Sequence, residues 1–123
     1  MGEKTLKAVR GAISSANTKE EITQKTRELY DRILSANELA ESDILSLFFS
    51  VTPDINALNP AGALRESGRA GEIAMMVLQE AAIQDSMPGI IRVLIHAYQA
   101  AEKSVRHVYL GKAEKLRPDY FEL

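Results

Sequence analysis

The chain has 123 residues, 15 Lys and Arg against 17 Asp and Glu, no Cys, two His and 46% hydrophobic residues. That is enough apolar material for one domain, 1–123, with a real core, whereas the lack of Cys excludes a disulfide scaffold, a thiolate nucleophile and cysteine metal sites, and two His cannot alone form a tris-imidazole centre. A net charge of −2, with no run of Lys and Arg longer than two, offers nucleic acid no attractive field.

The first residues carry no apolar leader, and no window of about 18 apolar residues occurs, so no membrane partner is expected and the expected address is the cytoplasm. Thr5 to Ile13 reads as a strand with Leu6, Ala8, Arg10 and Ala12 on one face and Val9 and Ile13 on the other. Thr18 with Glu21 forms the pattern of a reciprocal capping box. It opens a helix in which Ile22, Thr26, Leu29 and Ile33 make one apolar stripe, ending near Asn37. Asp43 to Val51 is too continuously apolar for a surface strand and reads as a buried one, stopped by Thr52-Pro53-Asp54. Asn59 caps a short helix from Pro60 to Arg65 or Ser67, and Gly68 and Gly71 break the chain after it. Glu72 to Glu80 and Ile90 to Tyr98 are two further strands, separated by Pro88-Gly89. A short strand, Val105 to Leu110, precedes a polar tail, and residues 1–4 and 118–123 are expected to be mobile. Strands and helices intersperse without strict alternation, which predicts an α+β fold: a mixed sheet with helices packed on one face.

Two strands hold a charge where an apolar residue would be cheaper. Arg92 lies inside Ile90-Ile91-Arg92-Val93-Leu94-Ile95, and Glu80 ends the preceding strand. Burying either alone costs on the order of several kcal/mol. They therefore pair across neighbouring strands, sit on an exposed edge, or line a polar pocket. Arg10, Arg65, Arg92 and Arg106 punctuate predicted strands and the short helix, and converging guanidinium groups would suit a small dianion. Each also has an ordinary reading: Arg10 as a surface or subunit-contact residue, Arg65 as a complement to its helix dipole, Arg117 as a tail cation, Tyr109 as core. His96 and His107 have no carboxylate at ligand spacing, so no metal site is expected.

Taken together, Arg10-Gly11-Ala12, Thr52-Pro53-Asp54, Pro60-Ala61 with Ala63 and Arg65-Glu66, Gln79-Glu80, Ile91-Arg92-Val93, Arg106-His107-Val108-Tyr109-Leu110 and Leu116-Arg117-Pro118-Asp119 run in one order over nearly the whole chain. In this the sequence resembles the monofunctional AroH-type chorismate mutases. The resemblance implies a cofactor-free rearrangement of chorismate to prephenate. It also implies a homotrimer whose sheets form a barrel-like core, with active sites at the subunit interfaces. By the same resemblance Arg92 donates to the ether oxygen and a carboxylate, and Glu80 accepts from the ring hydroxyl. Arg10 and Tyr109 hold a substrate carboxylate, with Arg10 near a partner's portion of the site, while Arg65 and Arg117 stand at the mouth. Asn59, Ala61, Met76 and Val77 fall at substrate-lining positions. Among these, Asn59 replaces a frequent Phe, Val77 a Cys and Met76 a smaller polar residue, and nearby Gly62 replaces a Lys. The substitutions at Asn59, Gly62 and Val77 keep open a second reading, a non-catalytic trimeric sensor of aromatic-pathway carboxylates.

Overall fold

The structure, a computed structural model, describes residues 2–121. The mobility expected of Met1 and of residues 122–123 lies outside the described residues. In chain order the elements are β1 (Lys4–Ser14), α1 (Lys19–Asn37), β2 (Ile44–Val51), α2 (Pro60–Glu66), β3 (Ala74–Gln79), β4 (Ile90–Ala100), β5 (Val108–Leu110) and α3 (Pro118–Phe121), with short 3-10 turns at Glu41–Asp43 and Gly111–Lys115. The five strands make one sheet in the order β3-β2-β4-β1-β5. It is mixed: β1 and β2 each pair antiparallel with β4, and β3 and β5 add in parallel at the two edges. The tail expected to be mobile begins, in its described part, as the helical turn α3.

Local chemistry accounts for the boundaries, including two departures from expectation. At the start of α1 the Thr18 Oγ accepts from the Glu21 amide at 3.1 Å, but the Glu21 carboxylate accepts from the Ala16 amide, also at 3.1 Å, and not from that of Thr18. The box is open on that side because the Thr18 amide already donates to the Ala16 carbonyl at 3.0 Å. Strand β5 is half the predicted length. Asn37, buried at the end of α1, takes the backbone of Arg106 out of any ladder: its Oδ1 accepts from the Arg106 amide at 2.8 Å and its Nδ2 donates to the Arg106 carbonyl at 2.9 Å. For α2 the reading holds, with Pro60 in the first turn and the Asn59 Oδ1 accepting from the amides of Ala61 and Gly62.

Strand periodicity gives the sheet two unlike faces. Val9, Ile13, Leu47, Phe49, Ile91, Val93 and Ile95 pack with Ile22, Leu29, Ile33 and Leu64 of the helices into the main core. At Gly11 helix and sheet come close together: an added Cβ would lie 2.6 Å from Ile33 Cδ1 and 3.1 Å from both Leu29 Cδ1 and the Val108 carbonyl. Gly11→Ala is therefore expected to overpack this seam and cost about 1–2 kcal/mol, read as a lower denaturant midpoint with an unchanged slope. An unchanged midpoint would mean that the helix has room to back away.

The other face is covered at one end by the 3-10 turn Gly111–Lys115, whose Ala113 packs with Ala12 and Ile90, and is open beyond it. Leu6, Met76, Leu78 and Tyr98 lie on this face at 49%, 55%, 51% and 42% exposure. Scattered exposed hydrophobics are ordinary, but these share one sheet face with half-buried Phe48 and Leu94, and a patch of that kind marks an interaction surface.

Candidate active site

Side chains of that open face are set in rows by the ladder register. Ala12 stands opposite Arg92, Arg92 opposite Ser50, and Ser50 opposite Leu78; in parallel pairing Tyr109 stands beside Ala12. In the next row of the same face, Arg10 stands opposite Leu94, which stands opposite Phe48. Two adjacent rows thus bring arginines from β1 and β4 and a tyrosine from β5 to one end of the sheet. They line a cavity of about 350 Å³ with Phe48, Ser50, Leu78 and Leu94, a volume in the range of small-molecule sites.

Arg92 is held from behind. Its Nε donates to Glu80 Oε2 at 2.8 Å, and Ser50 Oγ donates to the same oxygen at 3.3 Å. Glu80 is itself fixed by its amide, which donates to the Val51 carbonyl at 2.8 Å. Arg92 and Glu80 do pair, but not across neighbouring strands: β2 lies between β3 and β4, and the ion pair reaches over its end. The pair is half-buried, 38% and 22% exposed in its side chains, so neither charge is stranded. Glu80 occupies Nε and leaves the terminal guanidinium nitrogens of Arg92 for the cavity.

Tyr109 is buried in a second small cluster with Ala12, Ile90 and Ala113. That packing fixes its ring at the cavity wall. The residue two before it, His107, accepts through Nδ1 from the Arg10 amide at 2.9 Å. Burial first, and then the charges of Arg10 and Arg117, hold the His107 imidazole below its ordinary pKa, against a smaller pull from Asp119. Arg117 is not among the residues that line the cavity; it forms a two-point pair with Asp119 at 3.1 and 2.9 Å.

The other candidate residues lie elsewhere on the chain. None of the residues lining the cavity comes from α2. Arg65 is exposed in the last turn of α2, the Asn59 side chain is engaged in capping that helix, and Ala61 is buried beneath it. Met76 shares the open face one row away from Arg92, beside Phe48, whereas Val77 turns to the opposite face and packs on the main core. Arg10 and Arg92 therefore share one chain's cavity, and Arg65, Asn59, Ala61 and Val77 do not reach it.

Chemically, the cavity presents fixed positive charge and a phenol between apolar walls, backed by one carboxylate. It suits a compact dianion with an apolar ring. The sequence model of the family described as "Chorismate mutase type I" matches residues 6–120. The chain belongs to the type I chorismate mutase family. It is accordingly an isomerase, a chorismate mutase of aromatic amino acid biosynthesis. Curated relatives named chorismate mutase AroH are 34% identical over 116 residues in Bacillus subtilis (strain 168), spanning 93% of this chain and 91% of that one, and 36% identical over 117 residues in Thermus thermophilus, spanning 93% and 95%. A solved structure of a chorismate mutase from Clostridium thermocellum superposes with a TM-score of 0.81 at 35% identity, covering 89% of this chain and 98% of that one.

In this chorismate mutase several site neighbours had no individual sequence signal. Phe48, Ser50, Leu78 and Leu94 read as strand filler, and only the cross-strand register brings them around Arg92. For Leu94 the alternation of β4 was an available signal, since Arg92, Leu94 and His96 share a face that a buried strand would have made wholly apolar.

Proposed function

We propose that the rearrangement of chorismate to prephenate takes place in the cavity of Arg10, Arg92 and Tyr109, with no cofactor. The reaction breaks one carbon–oxygen bond and forms one carbon–carbon bond within a single molecule, so no atom or proton enters or leaves. What the protein must supply is a compact conformer and a donor for the charge that develops on the ether oxygen. The observation that carries this reading is the Glu80 contact at 2.8 Å, which fixes the Arg92 guanidinium by Nε with its other nitrogens available to substrate. In this scheme Arg92 donates to the ether oxygen and a carboxylate. Glu80 accepts from the ring hydroxyl, and Arg10 and Tyr109 hold a carboxylate.

The same reading makes the working unit a homotrimer with sites at its interfaces. Two features support it: the apolar open face, and the separation of α2 from the cavity. Arg65, Asn59, Ala61, Met76 and the backbone amide of Val77 then complete the site of a neighbouring protomer, and Arg117 closes its mouth. Among the described residues no helix is long and apolar enough to cross a membrane, and the cytoplasm is the compartment proposed.

Chorismate mixed with the purified protein should lose its ultraviolet absorbance as prephenate accumulates. Unchanged absorbance at micromolar protein would sink the proposal, and sedimentation at the monomer mass would sink its trimeric part.

A further inference from the structure

Strand β5 begins to pair with β1 only at Gly11, which stands beside Val108. The amide of Arg10, one residue earlier, finds a side chain in place of a backbone carbonyl: the Nδ1 of His107, at 2.9 Å. An imidazole nitrogen can accept only when it carries no proton. His107 is therefore neutral in this arrangement, with its proton on Nε2.

His107 is itself anchored. Its predecessor Arg106 is bonded at both backbone groups to Asn37, and the Asn37 Nδ2 also donates to the Ile33 carbonyl at 2.8 Å. A continuous set of bonds thus runs from the end of α1 through Asn37, Arg106 and His107 to the backbone that carries the Arg10 guanidinium.

We propose that His107 is a positioning residue: its unprotonated Nδ1 extends the β1–β5 ladder by one rung and fixes Arg10 in the cavity. This rests on the reading above that Arg10 holds a substrate carboxylate. Among the described residues, the charged groups facing His107 include Arg10 from β1 and Arg117 and Asp119 from the tail. Both arginines and the partial burial oppose an imidazolium and outweigh Asp119, which favours one, so the acceptor persists at neutral pH. Protonation in more acid solution turns the acceptor into a donor facing another N–H, and the rung breaks.

Two kinds of measurement test this. The first needs no substrate: in nitrogen-15 NMR of the intact protein, the Arg10 amide should shift with the same midpoint as the His107 ring, and that ring should be the Nε2–H tautomer. The second is the pH profile of kcat/KM. Wild-type protein should lose activity in acid, below the ordinary imidazole range. His107→Asn should remove that limb, because the amide oxygen it introduces stands near the place of Nδ1, accepts in the same way and does not titrate. Its activity at neutral pH should stay within about threefold of wild type, whereas His107→Leu should fall by roughly tenfold. The proposal is overturned by an Arg10 amide that ignores the His107 titration, by an unchanged acid limb in His107→Asn, or by a His107→Leu protein as active as wild type. Should Arg10→Ala retain full turnover, the role given to Arg10 fails, while the NMR coupling still decides whether His107 holds its backbone.

Discussion

Arg92→Lys should lower kcat by about 10²–10³-fold, the usual effect of losing one preorganised donor to a developing oxyanion. Lysine keeps the positive charge but not the planar fork. In wild type the Nε of Arg92 is engaged by Glu80 at 2.8 Å and the other nitrogens remain for substrate; one ammonium cannot occupy both positions. Since the lost contact matters most as the carbon–oxygen bond lengthens, kcat and kcat/KM should fall together, with KM little changed. Chorismate disappearance gives the rates, and circular dichroism checks that the fold survives. A sensor that merely binds carboxylates would show a modest loss of affinity with no turnover in either protein. Turnover of Arg92→Lys within tenfold of wild type would remove Arg92 from the role proposed.

Mixing inactive variants should restore activity only for particular pairs. Arg10 and Arg92 line one cavity of one chain, so Arg10→Ala and Arg92→Ala destroy the same half-site and no mixed trimer of the two has an intact one. Arg65 stands on α2, away from that cavity. When Arg65→Ala and Arg92→Ala chains are exchanged at equal amounts, each of the two chains meeting at a head-to-tail interface supplies its intact group with a chance of about one half. About one quarter of the sites should then regain both groups. Recovery to roughly that fraction of wild-type rate, after subunit exchange has been verified by mass, is the expected result. No recovery, or recovery with the Arg10 pair, would contradict a site shared between chains in this way.

The contrast between those two pairs locates what the sequence could and could not convey. Elements were legible wherever one local rule acted: the Asn59-Pro60 start of α2, the apolar stripe of α1, the dense branched run of β4. Boundaries that depend on a distant partner were not, as with β5, shortened because Asn37, far away in sequence, claims the backbone of Arg106. The site followed the same division. Arg92 and Glu80 announced themselves as charges in apolar strands, but that they meet over the end of β2 is a property of strand order. Arg10 was expected beside a partner's portion of the site; that the ladder between β1 and β4 also sets it in the cavity that holds Arg92 of its own chain had no trace in the sequence. Which nitrogen of His107 faces Arg10 has no one-dimensional trace at all.

Strand order also bears on how the molecule is made. β1 carries Arg10 and sits between β4 and β5, both of which follow it in the chain only after residues 15–89. A growing polypeptide therefore exposes this strand throughout most of its synthesis, with neither edge paired. Such distant pairing slows folding and leaves an unpaired edge available for aggregation in the meantime. The first strand to emerge is among the last to find its neighbours, and the substrate cavity comes into being at the moment the sheet closes around it.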